Sequence, residues 1–263
     1  MDKTIVVQGL LFDEKSSFMQ GPAEAPPVIR EYYHSGASNY YAENGIEADL
    51  KVFVDAGDFE IGEYQQIENI SLQNLKEGKR LFTLGGDHSV TYPVLKAISS
   101  KYQNFQILHI DAHADLYDNF EGDKYSHACP FARIMQDKLA THLIQIGVRT
   151  LNAHQKEQAS KYDVHVQEMK DFDPTALSFK ELPLYISLDM DAFDPAFAPG
   201  VSHHEPGGLS PRQVIDLLHT IQLPIIGADI VEYNPKRDFH GMTAALAAKM
   251  MKEMIALMVK NQL

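Results

Sequence analysis

Residues 106–115 read Gln-Ile-Leu-His-Ile-Asp-Ala-His-Ala-Asp. Gln106–Ile110 is a short, mostly apolar run of the kind that forms a strand covered on both faces. Asp111, His113 and Asp115 follow at once. In extended chain, side chains at i, i+2 and i+4 point the same way, so this spacing aims two carboxylates and an imidazole at one point. Burying three such groups is costly unless something neutralises them, and a divalent cation does so. The alternative is a solvated polar loop, and the apolar run just before it argues against that.

The same form recurs along the chain. Arg80–Leu84 reads as a strand and runs into Gly85-Gly86-Asp87-His88-Ser89, whose glycines permit a tight turn that sets His88 at the sheet edge. A turn capped by Asp87 or Ser89 is the alternative. Leu184–Met190 reads as a strand closing on Asp189 and Asp191, with Pro195 and Pro199 blocking its continuation; an ordinary acidic turn is the alternative. Ile5–Leu11, His142–Val148 and Ile225–Val231 complete the expected strands. Helices are expected after Pro26-Pro27, over 92–102, from Ser210-Pro211 to about Ile221, and over 242–259. Strand–helix alternation of this kind predicts a three-layer α/β/α fold around a mainly parallel sheet, as a single domain over 1–263. In such sheets the ligand site lies beyond the carboxyl ends of the strands, where these motifs fall. The sequence contains no internal repeat and no Pro/Gly/Ser tract long enough to divide it.

The chain has 263 residues, 44% hydrophobic and 22% charged, which excludes a disordered or collagen-like protein. Its formal charge of −13 repels phosphate backbones, so neither nucleic acid nor an anionic membrane is an expected partner, and a small cationic substrate fits better. A single cysteine, Cys129, cannot form an internal disulfide and points to a reducing compartment. The start, Met-Asp-Lys-Thr-Ile-Val-Val, lacks the form of a signal peptide, and no apolar run reaches membrane-helix length. A cytoplasmic protein is expected.

Two histidines and four aspartates are too many donors for one ion. They suit two divalent ions bridged by carboxylates, with manganese favoured over zinc because carboxylate dominates and thiolate is absent. Such a pair can hold a bridging hydroxide at neutral pH, a nucleophile for a trigonal carbon, so hydrolysis is the expected chemistry.

Gly-Gly-Asp-His-Ser at 85–89, Asp-Ala-His-Ala-Asp at 111–115 and Ser-Leu-Asp-Met-Asp-Ala-Phe-Asp-Pro-Ala-Phe-Ala-Pro-Gly at 187–200 together resemble the ureohydrolases, the arginase and agmatinase family. The likeness runs from Ser17-Phe18-Met19-Gln20-Gly21-Pro22 to Gly241-Met242-Thr243-Ala244. The stretches 125–128 and 200–208 look most like plant-type arginases. The resemblance implies an arginase-like fold and two Mn2+ per subunit. His88, Asp111, Asp115 and Asp189 would hold one ion; His113, Asp111, Asp189 and Asp191 would hold the other. It also implies that His127 shuttles a proton and that Glu232 grips a guanidinium, for which paired hydrogen bonds to a carboxylate are suited. The implied reaction is attack on the guanidinium carbon with collapse to urea and an amine. A homo-oligomer, trimer or hexamer, is implied too.

The substrate rests on weaker signals. The loop 116–124 carries Asp118, Glu121 and Asp123, and its acidity suits a doubly cationic substrate, so agmatine is expected first. The plant-type likeness argues for arginine, and 4-guanidinobutyrate comes third. Asp194 and His203 are further candidate substrate contacts; a turn role for Asp194 is the bland alternative, and His203 and His204 suit the mouth of the site better than a metal. His109 shares parity with Asp111 and could support it. Cys129 reads as a small buried thiol rather than a nucleophile. The Met242–Met258 pattern reads as core or subunit interface. Two other readings are a one-metal zinc amide deacetylase, which would leave His88 or His113 without a purpose, and a non-catalytic protein on the same fold, which would be expected to have lost ligands.

Overall fold

The computed structural model describes residues 4–76 and 78–262; Met1, Asp2 and Lys3 of the amino-terminal run read above lie outside the described residues. Eight strands form one sheet: β1 (Ile5–Leu11), β2 (Phe53–Glu60), β3 (Arg80–Leu84), β4 (Gln106–Ile110), β5 (His142–Val148), β6 (His165–Glu168), β7 (Leu184–Asp189) and β8 (Ile225–Val231). Their order is β2-β1-β3-β8-β7-β4-β5-β6, and every pairing between them is parallel. The four strands β3, β4, β7 and β8 are buried along their whole length, as expected where helices cover both faces.

Residues alternate between two cores. Leu108 and Ile110 pack with α1 (Ala25–His34), α6 (Pro211–Thr220) and α7 (Met242–Lys260). Ile107, Leu81 and Tyr185 pack on the other face with α2 (Gln66–Asn74), α3 (Thr91–Ser99) and α4 (Pro130–Gln136). α5 (Ala153–Lys161) adds Ala159 to that second core. Capping boxes start two of these helices, Ser210 with Gln213 on α6 and Asn152 with Gln155 on α5.

What matters for the site is that β3, β8, β7 and β4 are neighbours although the chain visits them far apart. Their registers put Leu84 beside Ile230, Ile230 beside Leu188, and Leu188 beside Ile110. The residues that follow those four positions therefore emerge together at one rim. The strand expected over 184–190 ends one residue earlier, at Asp189. There the Asp189 carboxylate accepts the Asp191 N–H at 2.7 Å and folds the chain into a short 3₁₀ turn over Met190–Ala192.

Candidate metal centre

The acid–histidine residues do meet, but not for the reason their spacing offered. The strand stops at Ile110. His113 N–H turns back onto Asp111 Oδ1 at 2.7 Å, and Asp115 sits at φ 48°, in the left-handed region. Alternation in extended chain is therefore not what gathers Asp111, His113 and Asp115; two turns are. Asp115 is sent toward His88, and His113 toward Asp191.

His88 Nδ1 stands 3.1 Å from an oxygen of each of Asp111, Asp115 and Asp189. The ring's other nitrogen settles its tautomer. Asp229 is wholly buried and accepts Thr91 Oγ1 at 2.8 Å, the Tyr185 hydroxyl at 2.7 Å and the Ser187 hydroxyl at 2.6 Å. With its O–H donated to Asp229, Ser187 Oγ accepts from His88 Nε2 at 3.0 Å. In a neutral ring Nδ1 then carries a lone pair, and this fully buried atom makes no aligned hydrogen bond among the described residues. A lone pair facing three carboxylate oxygens is repulsive unless a cation lies between them. Donors at right angles on an ion about 2.1 Å away are about 3 Å apart, so the spacing fits a shared ion.

A second group lies beside the first. His113 Nδ1 is 3.0 Å from Asp191 Oδ2 and 3.5 Å from Asp111 Oδ1, so Asp111 offers one oxygen to each group. Asp189 reaches this second group through the Asp191 N–H. Burial and the charges of Asp111 and Asp191 push Asp189 well above the ordinary carboxylate range, and burial holds Asp191 up to about 6. Carboxylates crowded in this way retain protons unless cations displace them. The residues present therefore fit divalent ions.

His109 supports this centre. Gln145 Nε2 also donates to Ala114 O, so it is a donor, and it meets His109 Nδ1 at 2.9 Å. That leaves the proton on His109 Nε2, which donates to Asp111 Oδ2 at 2.7 Å while the ring stacks on Phe131 of α4. Ser187, Asp229, Gln145 and Phe131 have no assigned purpose in the motif reading. For Asp229 a signal existed: it is an acid inside an otherwise apolar strand, which needs partners to be tolerated.

His127 Nδ1 pairs with Glu232 Oε1 at 2.8 Å. Burial opposes charging the His127 ring, but the Glu232 carboxylate, with Asp87 and Asp115 behind it, outweighs burial and raises the ring to about 9. Glu232 Oε1 also accepts the backbone N–H of His88 at 2.9 Å. Oε1 is thus committed to two donors within the protein, whereas the paired grip expected of Glu232 would use both oxygens.

His113, Asp115, Asp189, Asp191, His127 and Glu232 line a pocket of about 220 Å³ together with Ser17, Tyr117, Phe120, Thr150, Gln155, His203 and Glu205. That is below the roughly 300 Å³ at which drug-sized pockets begin, a volume for a small molecule. His203 reaches the lining, its ring 5.5 Å from His127 and 5.8 Å from His113; His204 instead bonds Pro199 O at 2.7 Å. Two of the expected substrate contacts have protein partners instead. Asp118 is exposed and pairs with His154 at 3.1 Å, outside the lining. Asp194 accepts the backbone N–H groups of Ala196, Gly207 and Gly208, and so ties the 194–208 turn. Cys129 is buried with its sulfur 3.7 Å from Asp123 O.

Known proteins resemble this chain over nearly its whole length. Residues 3–256 match the Arginase family. Arginase 1, mitochondrial, of Arabidopsis thaliana is 44% identical, over 96% of this chain and 80% of that one. The N(1)-aminopropylagmatine ureohydrolase of Thermus thermophilus is 37% identical, over 92% of this chain and 86% of its own. The solved arginase of Medicago truncatula superimposes with a TM-score of 0.90 at 40% identity, covering 97% of this chain and 87% of the other.

Proposed function

This chain belongs to the arginase family, a metal-dependent family of hydrolases acting on amidine C–N bonds, and we propose that its reaction is the release of urea from arginine with ornithine as the other product. The observation that carries the chemistry is the His88 Nδ1 lone pair set among three carboxylate oxygens. What favours arginine is the 44% identity to an arginase, against 37% to an aminopropylagmatine ureohydrolase. The acidic-loop argument for agmatine loses its footing, because Asp118 is paired with His154 and Asp123 with Lys15.

His88, Asp111, Asp115 and Asp189 would hold one Mn2+, and His113, Asp111, Asp189 and Asp191 the other; oxygen and imidazole donors without thiolate favour manganese. Bound there, the ions supply a deprotonated water at neutral pH and neutralise the crowded carboxylates. Glu232 Oε2 accepts the guanidinium and sets its carbon toward the carboxylate cluster. The Glu232–His127 pair holds the imidazole where, in its neutral form, it takes a proton from the attacking water and later returns one to the departing amine. His203 lines the pocket beside His113 and His127.

Agmatine is the second reading. Glu205 lines the pocket, and its carboxylate makes no hydrogen bond among the described residues, its nearest ring nitrogen, His113 Nε2, being 4.0 Å away. A free carboxylate at the rim suits a second amine. Urea release from manganese-loaded protein, compared for arginine, agmatine and 4-guanidinobutyrate, tests both: the highest kcat/KM on arginine supports the first reading, and the highest on agmatine replaces it.

The homo-oligomer, trimer or hexamer, belongs to the same proposal and is tested by light scattering. So does the cytoplasmic location, although the Arabidopsis relative is named as mitochondrial. No helix among the described residues is long and apolar enough to cross a membrane.

A further inference from the structure

Two atoms of Ser17 meet one ring nitrogen of His127. The Ser17 backbone N–H donates to Nε2 at 3.1 Å, and the Ser17 hydroxyl lies 2.8 Å from the same atom. A backbone N–H can only donate, so in this arrangement Nε2 presents a lone pair and the ring proton sits on Nδ1, facing Glu232. Protonating Nε2 would turn two N–H groups against each other, which opposes the pull of the nearby carboxylates. The hydroxyl is different, because it both donates and accepts.

Ser17 is exposed along the chain but held in place. Asp87 Oδ2 accepts Lys15 N at 2.9 Å and Ser16 Oγ at 3.4 Å, the His127 N–H donates to Lys15 O at 3.2 Å, and the Asp87 N–H donates to Phe12 O at 3.0 Å. The 12–17 segment is thus strapped across the rim, with Ser17 lining the pocket beside Asp115 and Glu232. His127 Nε2 faces this strap, so the ring's path to a substrate leads past the hydroxyl.

We propose that Ser17 is a catalytic residue whose hydroxyl relays protons between His127 Nε2 and the reacting groups, a proposal that rests on the guanidino-hydrolase reading. As water adds to the guanidinium carbon, one water O–H bond breaks, its proton passes to Ser17 Oγ, and the Oγ proton passes to Nε2. When the C–N bond to the departing amine breaks, the electron pair stays on that nitrogen. Nε2 returns its proton to Oγ, and the Oγ proton goes to the amine. The urea, which still carries the charge of the guanidinium, gives its extra proton to the released amine. Serine and histidine end as they began.

Ser17→Ala keeps the backbone N–H and the strap while removing the relay. With metal content and thermal midpoint matched to wild type, kcat is expected to fall about 10- to 100-fold with KM within about twofold. The proton inventory in mixed H2O/D2O is expected to change from curved in wild type to linear in the variant, which a merely structural role would not produce. A kcat within about twofold of wild type, or an unaltered proton inventory, overturns the relay while wild-type urea release leaves the functional reading standing. Absence of urea from wild-type protein on every guanidino substrate overturns both.

Discussion

Glu232 and His127 are joined through one carboxylate oxygen: Oε1 stands 2.8 Å from His127 Nδ1 and also accepts the His88 N–H. Glu232 reaches this position from the end of β8 at φ 63°, a left-handed conformation that an acid holds only where its surroundings compensate. The acid thereby links the imidazole to the residue that begins the carboxylate cluster, through Oε1 alone.

Glu232→Gln keeps the shape and removes the charge. Breaking a buried, hydrogen-bonded charge pair costs about 2–5 kcal/mol, so kcat/KM for the guanidino substrate is expected to fall roughly 30- to 4,000-fold. Steady-state urea assays decide it, and a value within about threefold of wild type would contradict the assigned grip.

Chelation is expected to abolish urea release and to lower the thermal midpoint, with Mn2+ restoring both. An ion held at about 1,000 times its Kd stabilises the folded state by about 4 kcal/mol. Calorimetry of the stripped and reloaded protein reads the shift, and full activity of metal-free protein would sink the metal assignment.

Asp118→Asn removes a charge whose partner is His154, not a substrate. Exposed pairs of this kind are worth about 0–1 kcal/mol. The ratio of kcat/KM for agmatine to that for arginine is therefore expected to stay within about twofold; a clear shift away from agmatine would return the loop to a role in substrate reading.

Gly86→Ala is expected to destabilise the fold strongly. A Cβ there would lie 1.6 Å from the Phe12 carbonyl oxygen, a backbone atom that cannot swing aside. Forcing that contact costs about 3 kcal/mol or more, and it moves the segment that carries Ser17. Denaturant unfolding measures the loss.

Cys129 is expected to resist alkylation in the native protein. Burial, helped by the charge of Asp115, pushes its thiol up to about 12 from an ordinary value near 9. The folded thiol binds its proton more tightly than the unfolded one, so its contribution to stability is present below about pH 9 and is lost as pH rises toward 12. Iodoacetamide labelling at pH 8 should be slow when folded and fast in denaturant; fast native labelling contradicts the burial.

The fold was legible wherever strands are mostly apolar. Ile5–Leu11, Arg80–Leu84, Gln106–Ile110, His142–Val148 and Ile225–Val231 have the same bounds in sequence and structure. β2 escaped that reading because Asp55, Gly57 and Asp58 interrupt an edge strand that is half exposed. The four residues of β6 are too few to show a pattern. α5 is polar apart from Ala153 and Ala159, and its capping box rather than an apolar stripe starts it.

By itself, the sequence determined that His88, Asp111, His113, Asp115, Asp189 and Asp191 stand at the ends of buried strands, because acids and histidines directly after apolar runs have nowhere else to go. Only the tertiary structure decided which partner each one meets. The order β3-β8-β7-β4 makes neighbours of segments distant in the chain, and turns rather than strand alternation divide the cluster into two groups. Ser17 meets His127 across 110 residues, and Ser187 and Asp229 fix the His88 lone pair through side chains that share no motif. Spacing along a chain constrains side chains only within one element, whereas hydrogen bonds between elements depend on where the sheet order and the loops place them.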